Sequence, residues 1–167
     1  MKRHQQGAYV VEFAIVATVV FVMLFACLEV ARLMYSYNAL TEVSRRAARL
    51  AAVCAPSPGT MEPTDAMKAL ALFDGRQLVA NLDADNIVVD YLTNTGALAA
   101  SIPDTTQVRA TVANYQHELI IPGFFIQLNS PAFRTLMPSE SLGQTRYADS
   151  NTAETIDGVT YCSSTGG

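Results

Sequence analysis

One uninterrupted apolar run near the N-terminus constrains this chain more than any other feature of its sequence. The run from Ala8 to Leu28 reads AYVVEFAIVATVVFVMLFACL, twenty-one residues with a single charge at Glu12. A helix needs about 20 apolar residues to cross the hydrocarbon core of a bilayer. In lipid, a helix also satisfies its own backbone hydrogen bonds, which an open strand cannot do. The run therefore predicts a transmembrane helix over residues 8–28.

The charge of Glu12 does not prevent insertion. The run holds twelve Val, Ile, Leu and Phe residues, which together favour the membrane by about 4–7 kcal/mol. One carboxylate opposes insertion by at most about 3 kcal/mol even at the helix centre, and Glu12 lies near the end of the run. The balance therefore favours insertion.

The flanking charges predict the orientation of this helix. Lys2, Arg3 and His4 precede the run, and the positive-inside rule keeps such a basic end in the cytoplasm. The rest of the chain is then exported, as one domain over residues 29–162 and a tail over residues 163–167 that we expect to be disordered. Without Lys2 and Arg3 the chain is acidic, with nine basic residues against fifteen acidic ones, which argues against nucleic acid as a partner.

The helix is expected to continue beyond the membrane. No Gly or Pro occurs from Glu29 to Val53, and the pattern becomes amphipathic there. Apolar residues recur at steps of three, four or seven on one face: Val30, Leu33, Tyr37, Leu40, Ala47 and Cys54. The opposite face carries Glu42, Arg45, Arg46 and Arg49, with Glu42 and Arg46 spaced for an ion pair. At about 1.5 Å per residue, a helix from Ala8 to Val53 is roughly 70 Å long.

Shorter elements follow the Pro- and Gly-rich segment 55–59. A second helix is predicted after Pro63, with Met67, Leu70 and Phe73 on one face. The period then becomes two, which predicts strands at 87–92 and 108–112 and a weaker one at 141–148. Short strands joined by short turns indicate an antiparallel sheet. The predicted fold class is α+β: a long N-terminal helix, transmembrane below and amphipathic above, packed on a small antiparallel sheet.

Two of the three cysteines are expected to form a disulfide. Cys54 and Cys162 lie in the exported part, where disulfides persist. Their bond would tie the tail of the chain to the top of the first helix, and the alternative is two independent buried thiols. Cys27 lies in the apolar run and is expected to stay reduced.

A short motif at the start of the apolar run points to a function. The basic leader, residues 1–7, ends in Gly7, and the carboxylate of Glu12 stands at the fifth position after it. This junction resembles the type IV prepilin cleavage site, where a membrane-embedded prepilin peptidase cuts after the glycine. The resemblance implies cleavage between Gly7 and Ala8, and it implies recognition and assembly roles for Glu12 and Phe13.

The chemistry of cleavage fits these residue types. A cut after Gly7 creates an ammonium group on Ala8, one helical turn from Glu12. A carboxylate buried in lipid is tolerated when it has a cationic partner, and in pilin-like assemblies that partner is thought to be the amino terminus of the same or a neighbouring subunit. The alternative is that Gly7 is incidental and Glu12 is a stray interfacial charge.

The helix as a whole resembles a narrower family. Four segments carry the resemblance: GAYVVEFAIVATVVF at 7–21, EVARLMY at 29–35, NALT at 38–41 and RRAARLAA at 45–52. They are similar to the TadE-like proteins of tight-adherence (Tad) systems, which are minor pilins or pseudopilins of Flp-type type IV pili. The strand at 108–115 and the turn at 121–124 resemble the family more loosely. Where many members have Gly, this chain has Ala31-Arg32, which places charge at the membrane exit.

This resemblance implies a location and a set of partners. It implies a pilin-like fold and a single pass through the bacterial inner membrane with the domain periplasmic or extracellular. It leaves open whether the protein enters the pilus or stays at its base. The implied partners are the prepilin peptidase, other Tad minor pilins and the major Flp pilin. The implied function is support of pilus assembly, surface adherence and biofilm formation.

No catalytic residue, metal site or cofactor is predicted. His117 has no Cys or His at metal-ligand spacing and is expected to be a solvated strand position. The sequence holds no nucleophile elbow and no P-loop. Phe124 and Phe125, beside Pro122-Gly123, are either an exposed contact tip or part of the core or base of the domain.

Three other functions remain open. A pseudopilin of a type II secretion system would share the cleavage site. A lipoprotein would use Cys27, since Leu24-Phe25-Ala26-Cys27 resembles a lipobox. A plain signal anchor would hold an extracytoplasmic binding domain with Gly7 uncut.

Overall fold

One continuous helix organises the molecule. The computed structural model describes residues 6–57, 59–74, 76, 78–120, 126–148, 155–159 and 161–162. Helix α1 spans Gln6–Val53, 48 residues without a break, which corresponds to about 72 Å at 1.5 Å per residue. Residues 1–5 of the predicted basic leader and residues 163–167 of the predicted disordered tail lie outside the described residues.

The first half of α1 packs against no other element of the described structure. From Gly7 to Leu28 every residue is exposed except Ala17, which is half-buried. This stretch is long and apolar enough to cross a membrane, judged by length and composition. Water would penalise so much exposed apolar surface, because monomeric soluble proteins rarely expose patches larger than a few hundred Å².

The second half of α1 packs on a three-stranded antiparallel sheet. Its strands are β1 (Ile87–Leu92), β2 (Gln107–Val112) and β5 (Phe133–Pro138), in the order β1-β2-β5. Ile87 pairs with Val112 on one side of β2, and Phe133 pairs with Val112 on the other. The predicted α+β fold is confirmed. The core that joins helix and sheet includes Leu40, Val43, Ala47, Ala48, Ala51, Val89, Tyr91, Val108, Ala110 and Val112.

Two small hairpins and a short helix complete the described structure. One hairpin pairs β3 (Gln116–Glu118) with β4 (Gln127–Asn129), and the other pairs β6 (Gln144–Ala148) with β7 (Thr155–Val159). Helix α2 spans Asp65–Ala71, and the Thr64 side chain caps its start by accepting from the Met67 N–H at 3.2 Å. The helix ends before Phe73, whose φ is 60°, so Phe73 does not continue the predicted helical face.

The segment after β5 caps the C-terminal end of α1. The carbonyl groups of the last helical turn have no partner within the helix. Here the backbone N–H groups of Glu140 and Leu142 donate to the Ala52 carbonyl at 3.1 and 3.2 Å, and that of Gly143 donates to Val53. The helix therefore ends where a distant segment satisfies its carbonyls.

Candidate functional site

The prepilin-like motif lies on an open helix surface. Among the described residues, and apart from its chain neighbours and the backbone of its own helix, nothing comes within 4 Å of the position that a Cβ on Gly7 would occupy. Ala8, Glu12 and Phe13 are all exposed on α1, and Ala8 and Glu12 are one helical turn apart. Among the described residues, no hydrogen bond or ion pair engages the Glu12 carboxylate. The motif is thus free to meet a partner outside the chain.

A second set of polar side chains lies where α1 leaves the apolar run. We call Glu29, Arg32, Ser36 and His117 the basal cluster. Arg32 Nη1 donates to both carboxylate oxygens of Glu29, at 2.8 and 2.9 Å. His117 Nε2 lies 3.1 Å from Glu29 Oε1, and its Nδ1 lies 3.5 Å from Ser36 Oγ. The cluster joins β3 to the helix through side chains 88 residues apart.

Burial and hydrogen bonds act in opposite directions on Glu29. Its side chain is only 9% exposed and that of His117 only 2%. Burial by itself raises the pKa of the Glu29 carboxyl. The hydrogen bonds from Arg32, the backbone N–H of Ile120 and His117, with the positive charge of Arg32, outweigh it and hold the pKa below its usual value. Glu29 is therefore an ionised carboxylate fixed by donors from two elements.

The basal cluster corrects two sequence expectations. His117 is buried, so the expectation of a solvated strand position is wrong. Val30, predicted on the packed stripe, is 57% exposed, whereas its neighbour Glu29 and Ser36 face the domain instead. Glu29 and Ser36 are seven residues apart and so lie on one helical face. The spacing of these two polar residues, which continues the packed stripe of Leu40 and Val43 toward the N-terminus, is the sequence signal that could have predicted the basal cluster.

The charged face of α1 also differs from its predicted pairing. Glu42 and Arg46 form no ion pair among the described residues. Instead, the Arg46 guanidinium lies 4.3 Å from the centroid of the Phe73 ring, a cation–π contact. The unusual backbone of Phe73 after α2 is what places its ring against the helix.

A disulfide secures the opposite end of the domain. Cys54, just after α1, is bonded to Cys162, with Cα atoms 5.5 Å apart, a separation typical of disulfides. Cys27 is a free cysteine exposed on the apolar part of α1. Phe124 and Phe125, the alternative contact tip, lie outside the described residues.

The main cleft of the described structure lacks a catalytic arrangement. It has a volume of about 700 Å³ and lies between β1 and the segment that carries α2. Asp90 at its wall accepts two hydrogen bonds from Arg109, at 2.8 and 2.9 Å. Burial raises the pKa of Tyr91 to about 12, so its hydroxyl stays protonated at neutral pH. In the described part of the chain, no three His, Cys, Asp or Glu side chains gather as metal ligands would.

Comparison with known proteins identifies the helix. Residues 7–49 match the family model described as TadE-like protein. No curated protein and no solved structure matches the chain. The match begins at Gly7 and ends four residues before the end of α1, so it covers the apolar run, the basal part of the helix and most of its packed face. The long helix of this chain therefore contains a TadE-like region over residues 7–49.

Proposed function

We propose that this protein is a minor pilin or pseudopilin of a Tad (Flp-type) type IV pilus, which supports pilus assembly, surface adherence and biofilm formation. The TadE-like match over residues 7–49 carries the proposal. That match starts at the glycine of the prepilin-like junction, so family signature and processing motif coincide in one segment.

The membrane anchor of this proposal is residues 8–28, with the N-terminus in the bacterial cytoplasm and residues 29–162 outside. Two observations support it. The apolar half of α1 is exposed along its length, and the basic residues Lys2 and Arg3 precede it. The disulfide between Cys54 and Cys162 also suits an oxidising compartment outside the cytoplasm.

The first partner is a prepilin peptidase that cuts between Gly7 and Ala8. A glycine before the cut presents no side chain to the protease, and the open surroundings of Gly7 leave the helix start accessible. Cleavage leaves an ammonium group on Ala8. The unengaged carboxylate of Glu12 is then available to that ammonium or to the one of a neighbouring subunit.

The later partners are other Tad minor pilins and the major Flp pilin. Within a filament, the exposed apolar face around Phe13 would pack on neighbouring helices as it leaves the lipid. A buried ion pair between Glu12 and an amino terminus would then fix the register of adjacent subunits, because an unpaired buried charge is strongly disfavoured.

The N-terminus of the mature chain tests the proposal. Co-expression with an active prepilin peptidase should give a protein that begins Ala-Tyr-Val-Val-Glu, and Gly7→Leu should leave the leader in place. A type II pseudopilin would give the same N-terminus but would assemble without the Tad components. Loss of residues 1–26 with lipid on Cys27 would instead indicate a lipoprotein. A chain that retains Met1 would contradict processing and favour a plain signal anchor.

A further inference from the structure

The β3–β4 hairpin carries apolar side chains that nothing in the described structure covers. Ile120 is 66% exposed and Ile126 is 48% exposed. Ile126 lies opposite Leu119, whose N–H donates to the Ile126 carbonyl at 3.2 Å, and Ile120 is the next residue on the first arm. Leu128, opposite His117 on β4, adds to the same apolar surface.

The hairpin is amphipathic across its width. Its outward face pairs Gln116 with Asn129 and Glu118 with Gln127, and the side-chain amide of Gln127 donates to Glu118 at 3.1 Å. Because paired residues in an antiparallel ladder share a face and faces alternate, His117 and Leu128 lie together on the other side. Ile126, two residues before Leu128 on the same arm, lies on this second side as well, and Ile120 follows at the end of the other arm.

The contacts of the hairpin show its direction along α1. His117 contacts Ser36 with one ring nitrogen and Glu29 with the other, and Ile120 lines one pocket together with Arg32. Seven helical residues span about 10 Å. The chain from His117 to Ile120 therefore runs down the helix, toward the N-terminal end of α1.

This direction brings Ile120 to the edge of the apolar run. Glu29 is the first residue after that run, and helical side chains lean toward the N-terminus of their helix. Its carboxylate, to which Arg32 donates, thus lies beside the last turn of the apolar run. Leu24, Phe25 and Leu28 in that turn are themselves exposed. The exposed apolar side chains of this helical turn and Ile120 therefore lie at about the same level along the axis of α1.

We propose that the β3–β4 hairpin is a second membrane contact, with Ile120, Ile126 and Leu128 resting in the interfacial region of the leaflet from which α1 emerges. The occupant is lipid rather than protein because Ile120 lies at the level where the exposed apolar half of α1 ends. The domain then contacts the membrane at two points, α1 and the hairpin, which the basal cluster holds together. Because both points are fixed, α1 cannot rotate freely about its own axis. The inference rests on the membrane anchor of the proposed function, and not on the pilus role.

Tryptophan fluorescence tests this contact, because the sequence contains no Trp. The full chain is reconstituted in phosphatidylcholine vesicles with Ile120→Trp, Ile126→Trp, or one of two controls. Val20→Trp reports on the anchor. Leu136→Trp is matched in exposure at 56% but lies on β5, beside Thr135, which bonds to Ser44 at 2.9 Å. Ser44 is fifteen residues beyond Glu29, or about 22 Å along the helix. An intact Cys54–Cys162 disulfide verifies that each variant is folded.

We expect phosphatidylcholine brominated near its headgroups to quench Ile120→Trp and Ile126→Trp strongly and to leave Leu136→Trp unchanged. Lipid brominated deep in the acyl chains should quench Val20→Trp. If Val20→Trp is quenched and both hairpin reporters match Leu136→Trp, the inference is wrong and the anchor stands. If Val20→Trp is not quenched, the anchor itself is wrong and the inference falls with it. A blue shift at the hairpin that grows with protein density, without bromine quenching, would assign the surface to a second copy of the chain and also overturn the inference.

Discussion

Glu29 is held by donors that come from three directions. Arg32 donates from one turn along the same helix, and His117 and the Ile120 backbone donate from the β3 hairpin. A carboxylate with several such donors is stabilised in its charged form. Because two of the donors belong to another element, ionisation of Glu29 is coupled to docking of the hairpin on α1.

Replacement of Glu29 by Gln should lower stability in a pH-dependent way. The folded pKa lies below the usual 4.5, so the carboxylate contributes its full stability above about that pH. This contribution disappears as the pH falls through the folded pKa. We expect Glu29→Gln to cost about 1–3 kcal/mol near pH 7, the range for hydrogen bonds to a charged group.

Urea unfolding of the detergent-solubilised chain measures this difference. Glu42→Gln is the matched control, since Glu42 is exposed on the same helix and should show no such loss. The gap between the natural chain and Glu29→Gln should narrow as the pH is lowered below 4.5. A gap that is constant at every pH would show that the carboxylate charge contributes nothing.

At the scale of elements, sequence patterns predicted the helices and strands that have a regular hydrophobic periodicity. The long α1 and the strands β1 and β2 follow from hydrophobic periodicity, and the predicted weak strand at 141–148 corresponds to β6, Gln144–Ala148. Strand β5 was missed because inward Thr135 and outward Leu136 break the alternation of polar and apolar residues. The hairpin strands β3 and β4 are three residues each, too short for a pattern. Their position depends on the contact of His117 with Glu29, which no local signal encodes.

The packed face of α1 depends on small side chains. Ala47, Ala48 and Ala51 are all buried under the sheet, which lets the strands approach the helix backbone closely. Ala48→Leu should overfill this interface and lower stability by about 1–3 kcal/mol. Arg45→Leu, an exposed substitution three residues earlier, should change stability by less than about 0.5 kcal/mol. Equal effects in urea unfolding would contradict a tight helix–sheet contact at Ala48.

At the scale of the whole molecule, one covalent bond joins the end of α1 to Cys162. The Cys54–Cys162 disulfide spans 108 residues and closes on the same end of α1 where Glu140 and Leu142 bind the Ala52 carbonyl. In the loop-entropy description, a crosslink of that length limits the unfolded chain by about 4–5 kcal/mol. The domain is thus fixed to α1 at its top by this bond and at its base by the basal cluster.

Removal of this disulfide should destabilise the domain that packs on the second half of α1. We expect Cys162→Ser to lower the free energy of unfolding by about 2–5 kcal/mol, whereas Cys27→Ser should leave it unchanged. In the unreduced natural chain, alkylation should label neither Cys54 nor Cys162, and digestion should give one linked pair of peptides. Free labelling of either residue in the folded chain would refute the bond.

Assembly of the whole molecule into a pilus should depend on Glu12 rather than on its neighbours in the anchor. Insertion does not need this carboxylate, because the apolar run favours the membrane by several kcal/mol without it. Glu12→Ala should therefore insert and lose its leader as the natural chain does. Its membrane level should even rise slightly, since a charge that is costly in lipid has been removed.

Docking is the step that we expect to fail in Glu12→Ala. The ammonium of Ala8, or that of a neighbouring subunit, would be left unpaired in lipid, and stranding one partner of a buried pair costs about 3–5 kcal/mol. The measurement is pilus number and surface attachment in a strain carrying Glu12→Ala, with membrane level and leader removal followed by immunoblot. Glu42→Ala makes the same chemical change on an exposed part of α1 outside the apolar run and should leave piliation intact. Normal piliation by Glu12→Ala at normal protein level would mean that the carboxylate has no part in assembly, and the role proposed for it would be wrong.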